Sequence, residues 1–208
     1  MNRAKIVVAT SNPGKFREIG FSLKGLPLRC LSLADLGITD EVKEEGTTFS
    51  QNARLKSLAY SLRTGHLTLA EDSGLEVRHL GGEPGVYSAR FSSPRPTDEK
   101  NIRKVLRLME GVSWDRRQAR FVCCLVLASK GQIIREVRGV VTGRIAFEKA
   151  GNSGFGFDPI FYYHPFRRTF GQLAAEEKDR VSHRGRALRK MRKFLISYLD
   201  SHQPGKLP

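Results

Sequence analysis

Apolar and polar positions fall into two rhythms along this chain. Residues 4–10 form a short apolar run ending in a small-residue turn. Phe16, Ile19 and Leu23 then recur at the spacing of one helix face. A second strand is expected over residues 28–33. Thr48, with Gln51 three residues on, predicts a capping box. Leu55, Leu58, Ala59 and Leu62 predict that helix's apolar stripe, and Gly65 its end. Residues 67–71 and 75–78 read as strand, with Ser73-Gly74 turning the chain between them, and 81–85 as a loop. Pro96-Thr97 opens a helix with Ile102, Val105, Leu106 and Met109 on one face. Long strand-like runs follow at 119–128 and 133–141, then a glycine-rich loop at 151–156 and a short strand over 158–163. The last helix begins near Ser182 and buries Leu188, Met191, Leu195 and Tyr198. The order is that of a mixed α/β fold, and the central strands suggest antiparallel pairing.

Composition bounds this picture. The 208 residues suit one domain over 1–208. A hydrophobic share of 39% with 27% charged residues fits a globular chain with no linker or low-complexity tract. No apolar run approaches the ~20 residues of a membrane span, and the N-terminus has no signal-like apolar centre. Cys30, Cys123 and Cys124 form no C-x-x-C pair, which points to buried thiols in a reducing cytoplasm. The net charge of +15 fits a polyanionic partner: nucleic acid, a membrane surface or a small polyphosphate.

Five stretches can carry chemistry. "TSNPGK" at 10–15 places Thr10, Ser11, Asn12, Pro13, Gly14 and Lys15 between a strand and a helix. Free N–H groups at a helix start bind anions, and Lys15 adds charge; a plain capped helix start is the other reading. It is not a Walker A loop, because G-x-x-x-x-G-K-[ST] is absent. Glu71 and Asp72 follow an apolar strand, and alternation sends one to a site and the other away from it. A carboxylate there can hold Mg²⁺ or take a proton from water; an Asx turn is the alternative. Glu44-Glu45 precedes the capped helix. Phe155 and Phe157 flank Gly156, fit either to stack on a base or to fill a core. His183 and Arg184 sit at a helix start, where cations oppose the helix dipole. Either an acceptor-rich ligand holds them there, or Ser182 is simply an N-cap.

Taken together, "TSNPGK", "EEGTTFSQNA", "AEDSGLEV", "LGGEPGVYSARF", "FGFDPIF" and "EEKDRVSHRGRAL" occur in this order. The chain closely resembles the inosine/xanthosine triphosphate pyrophosphatase family, over residues 6–188. That resemblance implies an elongated mixed β-sheet flanked by helices, in two lobes with a nucleotide cleft between them. It implies a homodimer, Mg²⁺ as cofactor, and hydrolysis of XTP, ITP and dITP to the monophosphate and pyrophosphate. No membrane and no specific nucleic acid are expected as partners. Carried onto this chain, residues 10–15 hold the phosphates. Asp72 is the proton acceptor and, with Glu44, a metal ligand, and Ser73 lies beside it on the substrate. Phe155, Gly156, Phe157, Asp158, Lys178, His183 and Arg184 form the nucleoside end. Two departures stand out. Lys43-Glu44-Glu45-Gly46 replaces the more usual Glu-Glu-Thr-Gly, which leaves Glu44 and Glu45 as rivals for the metal. Glu71-Asp72-Ser73 replaces Asp-Asp-Ser, with the expected catalytic acid retained.

Overall fold

The computed structural model describes residues 4–201; Met1, Asn2 and Arg3, where the N-terminal reading began, lie outside them. Seven strands form one sheet in the order β2-β1-β3-β4-β5-β6-β7. These are β1 (Ala4–Ala9), β2 (Leu28–Leu31), β3 (Leu67–Val77), β4 (Gln118–Ser129), β5 (Gln132–Ile145), β6 (Phe161–Tyr163) and β7 (Arg168–Thr169). The first three pair in parallel and the rest antiparallel. The expected mixed sheet is therefore present. Five helices accompany it: α1 (Pro13–Leu23), α2 (Phe49–Thr64), α3 (Asp98–Leu108), α4 (Ala175–Val181) and α5 (His183–Ser201). Among the described residues no helix is long and apolar enough to cross a membrane.

Alternation along the strands divides the core between the two faces of the sheet. Ile6, Val8, Leu69, Cys123 and Leu125 pack beneath α1 and α5, against Ile19, Leu188, Met191 and Leu195. Val122, Cys124 and Val126 meet Phe49 and Ala53 of α2 on the other face. The adjacent cysteines thus point oppositely, both buried and free. A third cluster joins α3 to a group of aromatics that includes Phe121, Phe161 and Phe170.

Three expectations need correction. First, Ser73-Gly74 does not turn the chain; β3 continues to Val77, because Ser73 and Gly74 are paired with Cys123 and Val122 of β4. Gly74 is where the loop behind it closes in: an added Cβ would lie 2.2 Å from the Ser88 hydroxyl oxygen. Second, α2 does not bury the predicted leucine stripe. Leu55 and Leu62 are 41% and 68% exposed, and the inward face is Asn52, Ala53, Ser57, Tyr60 and Ser61. Small and polar side chains let this helix sit close to the sheet and hydrogen-bond into it. Third, only residues 161–163 of the predicted 158–163 strand are extended; Asp158–Ile160 is a 3₁₀ turn. The Thr48–Gln51 capping box is present.

At Gly139 of β5 the sheet meets α5 backbone to backbone. A Cβ there would fall 2.0 Å from the His183 carbonyl oxygen and 2.7 Å from the Ala187 nitrogen. This contact fixes where the first turn of α5 sits. Gly139→Ala is expected to lower stability by about 1–3 kcal/mol, read as a fall in thermal midpoint; an unchanged midpoint would show that α5 docks with slack.

Candidate active site

β1 ends at Ala9, opposite Ala70, whereas β3 runs on to Val77. From Glu71 to Gly74 one edge of β3 therefore has nothing paired to it; farther on the 83–88 loop covers it, through the Glu76–Pro84 bridge and the Leu75 N–H on Ser88 Oγ (2.9 Å). The chain leaving β1 turns at this gap. Thr10 Oγ1 accepts from the Asn12 N–H (3.2 Å), and Asn12 caps α1 by accepting from the Lys15 N–H through Oδ1 (3.0 Å). Pro13 occupies the first turn of α1, where its missing N–H costs nothing. Ser11 is exposed at the turn.

Beside the gap, Glu71 and Asp72 leave the strand on opposite faces. Glu71 is buried beneath α1 and α5. Arg184 grips it with two hydrogen bonds of 2.8 Å, Ser73 Oγ donates to it at 2.6 Å, and Lys15 Nζ lies 3.6 Å away. Burial alone would raise its pKa, but the Arg184 and Lys15 charges hold it well below the usual carboxylate range. Asp72 faces α2, where Asn52 Nδ2 donates to Oδ2 (3.1 Å) and Lys56 Nζ is 3.9 Å from Oδ1. Here burial outweighs the Lys56 and Lys15 charges, and the pKa is raised. Both acids are thus engaged by neighbouring polar groups, where alternation predicted that one would face away.

Asn52 also accepts from the Gly46 N–H (2.8 Å), tying the 44–46 segment to Asp72. Glu44 turns inward and meets Lys56 Nζ at 2.5 Å, with Arg90 at 3.6 Å, while Glu45 is exposed. One ammonium group thus stands between Glu44 and Asp72, a cation on the two carboxylates expected to hold Mg²⁺. Among the described residues no trio of His, Cys, Asp or Glu gathers for a metal. Two carboxylates with substrate oxygens are what Mg²⁺ usually takes, so the donor set fits that ion.

On the α5 side lies a narrow pocket of about 90 Å³, bounded by Asn12, Lys15, Ser73, Phe155, Gly156, Phe157, Asp158, Lys178, His183 and Arg184. Lys178 Nζ is 2.6 Å from Asp158 and 3.0 Å from Glu18, and Arg184 reaches Glu18 at 2.5 Å. Phe155 lies over both cations, 4.7 Å from Lys178 Nζ and 5.2 Å from the Arg184 guanidinium carbon. It fits because position 14 is glycine: a Cβ there would be 2.7 Å from the Phe155 ring. Phe157, by contrast, belongs to the core beside α3. His183 stacks on Phe121 (4.6 Å, 11°), and its buried Nδ1 has no hydrogen-bond partner. Burial, reinforced by Arg184, drives its pKa well below the ordinary value, so it is neutral. Ser182 Oγ accepts from the Gly185 N–H (3.0 Å), so the N-cap and the pocket-lining His183 and Arg184 coexist.

Sequence reasoning missed Glu18, Asn52 and Lys56. Asn52 and Lys56 are i, i+4 partners and Lys15 and Glu18 i, i+3 partners, so helical phase was the available signal. Glu44 and Asp72 lie across β3 from the pocket rather than in its wall.

A profile of the Ham1 family matches residues 6–194. The chain belongs to the Ham1 family. Its relatives include the dITP/XTP pyrophosphatase of Bacillus licheniformis, 41% identical over 92% of this chain and 97% of that protein. Among solved Ham1 structures, that of the Staphylococcus aureus Ham1 protein aligns with a TM-score of 0.84 at 36% identity, covering 93% of this chain and 99% of the other. The Mycobacterium abscessus nucleoside-triphosphatase / dITP/XTP pyrophosphatase aligns at 0.73 and 40% identity, covering 90% and 98%.

The grip on Glu71 makes an acid-stability prediction. Its folded pKa is depressed, so its stabilisation is complete above the unfolded value of about 4.3 and is lost as pH falls toward the folded value. Glu71→Gln is expected to cost about 3 kcal/mol at neutral pH and to flatten the fall in urea midpoint between pH 5 and 2. A variant as acid-sensitive as the wild type would remove Glu71 from this role.

Proposed function

We propose that this chain hydrolyses deaminated purine nucleoside triphosphates (XTP, ITP and dITP) to the monophosphate and pyrophosphate. Three features carry the reading: an anion-ready helix start, a pair of buried carboxylates and a pocket of fixed polar groups, all at the bare edge of β3. Asp72 orients a water and takes its proton as oxygen attacks the α-phosphorus. The bond to the bridging oxygen breaks, and pyrophosphate departs toward the backbone of the 11–14 turn and the Lys15 ammonium. The raised pKa of Asp72 suits a base that must gain a proton. Glu44 and Asp72 would hold Mg²⁺, which when bound offsets phosphate charge. Lys56 would then shift toward a phosphate.

Base choice follows from hydrogen-bond polarity. Inosine and xanthosine present a carbonyl at purine position six, and adenosine presents an amino group. Lys178 and Arg184 offer only donors, and Phe155 supplies a ring for the base. An amino group facing the N–H groups that Lys178 and Arg184 do not already give to carboxylates leaves those unmet, at ~1–3 kcal/mol each or more if charged. Two such contacts give discrimination on the order of a hundredfold. The reading carries the single domain, two-lobed cleft, homodimer and cytoplasmic setting that the resemblance implies.

Purified protein with Mg²⁺ is expected to release pyrophosphate from ITP and XTP far faster than from ATP or GTP, and chelation is expected to abolish release. Equal rates on all four, or preference for a modified pyrimidine, would overturn the assignment. Asp72→Asn is expected to lose about 10²–10⁴ in turnover with an unchanged circular dichroism spectrum. Wild-type turnover in that variant would free Asp72 of its role.

A further inference from the structure

The cations of the candidate site are already matched. Lys15, Lys178 and Arg184 pair with Glu18, Glu71 and Asp158 in one network, and Lys56 and Arg90 pair with Glu44 and Asp72 in a second. Five positive groups meet five negative ones, so the excess of +15 lies elsewhere. Part of it lines a groove of about 790 Å³ over β3, β4 and β5, away from those pairs. Arg78, Arg120, Arg144 and Arg186 line it, and its one acid is Glu76, which pairs with Arg120. In the register, Gln118 faces Arg144 and Arg120 faces Thr142, which puts Arg120 and Arg144 on one sheet face. Backbone carbonyls hold Arg186 in place, Val181 O at 3.0 Å and Val140 O at 3.1 Å.

A row of rings borders this groove. Phe147 stacks on Trp114 (5.7 Å, 30°), Trp114 meets Tyr162 edge-on (5.1 Å), and Tyr162 lies 6.3 Å from His164. His164 and Arg144 belong to the groove itself, and the Arg144 guanidinium sits 5.2 Å over Trp114. Phe147, with the Arg117 guanidinium 4.6 Å over its ring, is 64% exposed at the outer end.

We propose that this face binds single-stranded nucleic acid without sequence preference. The phosphates follow the arginines and the bases stack against the exposed rings. Guanidinium groups match phosphate geometry, and interleaved aromatics accept unstacked bases of any identity. A duplex would keep its bases away from the rings.

Anisotropy of a fluorescein-labelled 20-nucleotide oligothymidylate, titrated with the full chain from 50 to 300 mM KCl, tests this. Micromolar or tighter binding at low salt is expected, falling linearly in log affinity with log salt. Arg78→Ala is expected to flatten that slope by about 0.7, and Arg78→Ala, Arg120→Ala and Arg186→Ala together by about 2. Phe147→Ala is expected to weaken binding about tenfold. Lys100→Ala, Arg103→Ala and Arg107→Ala on α3 remove the same charge elsewhere and are expected to leave most of the slope in place. Equal flattening by the two triple variants would reduce the effect to overall charge and overturn the proposal. So would wild-type binding by Phe147→Ala or by the groove variants. Sedimentation adds a second readout: groove variants that turn a wild-type dimer into a monomer, with oligonucleotide binding untouched, would assign the face to a second copy instead.

Discussion

The buried pair between Glu71 and Arg184 is the constraint on which the candidate site depends. It joins the middle of β3 to the first turn of α5, elements more than a hundred residues apart in the chain. Two charges taken out of water must be fully hydrogen-bonded to be tolerated. Ser73 satisfies Glu71 further, and Glu18 takes another N–H of Arg184. The arrangement leaves neither partner free to move alone. Lys178 is drawn in through the same Glu18 and fixed again by Asp158. The groups assigned to base recognition are therefore set in place before any ligand arrives, and little side-chain entropy remains to be lost on binding.

Adjacent residues on one strand acquire opposite tendencies. Glu71 is surrounded by donors and stays ionised, and Asp72, with fewer close donors, is pushed toward protonation. The difference is one of environment, since the side chains are chemically near-identical. It separates the two faces of the sheet: an anion held in charged form faces α5, and an acid whose pKa is raised faces α2. Asn52 joins the two parts of the α2 side by holding both Asp72 and the backbone of Gly46.

Much of this was legible in the sequence, and what was not has a common cause. The strand–turn–helix at 10–15, the capping box at Thr48 and the N-cap at Ser182 rest on contacts within four residues. Such contacts are written locally. The run through Ser73 and Gly74 is held by β4, some fifty residues away, so its polar composition read as a turn. The inward face of α2 was misassigned because leucine spacing was taken to define it. Asn52 faces inward because that side of the sheet offers Asp72, and Ser57 and Ser61 do so because small side chains that return their hydroxyls to α2's own carbonyls let the helix lie close to the sheet. Glu18 and Lys56 were missed for the same reason: a charged residue on a helix reveals its partner only once the helix is docked.

The early end of β1 sets the size of the site by simple counting. β3 outruns its parallel neighbour by seven residues, from Glu71 to Val77, and the 83–88 loop bonds to the last three, leaving four bare, Glu71 to Gly74. The aperture is in effect an unfilled place in the sheet. Side chains alternate with a period of two, so one residue gained or lost in β3 would exchange the surroundings of Glu71 and Asp72. The acid now clamped by Arg184 would face α2, and the acid now beside Asn52 would take its place under the guanidinium. Substitutions can be absorbed here one side chain at a time, but a change of length in this segment cannot. Parity of strand length, more than the identity of any one acid, keeps the two carboxylates in their separate roles.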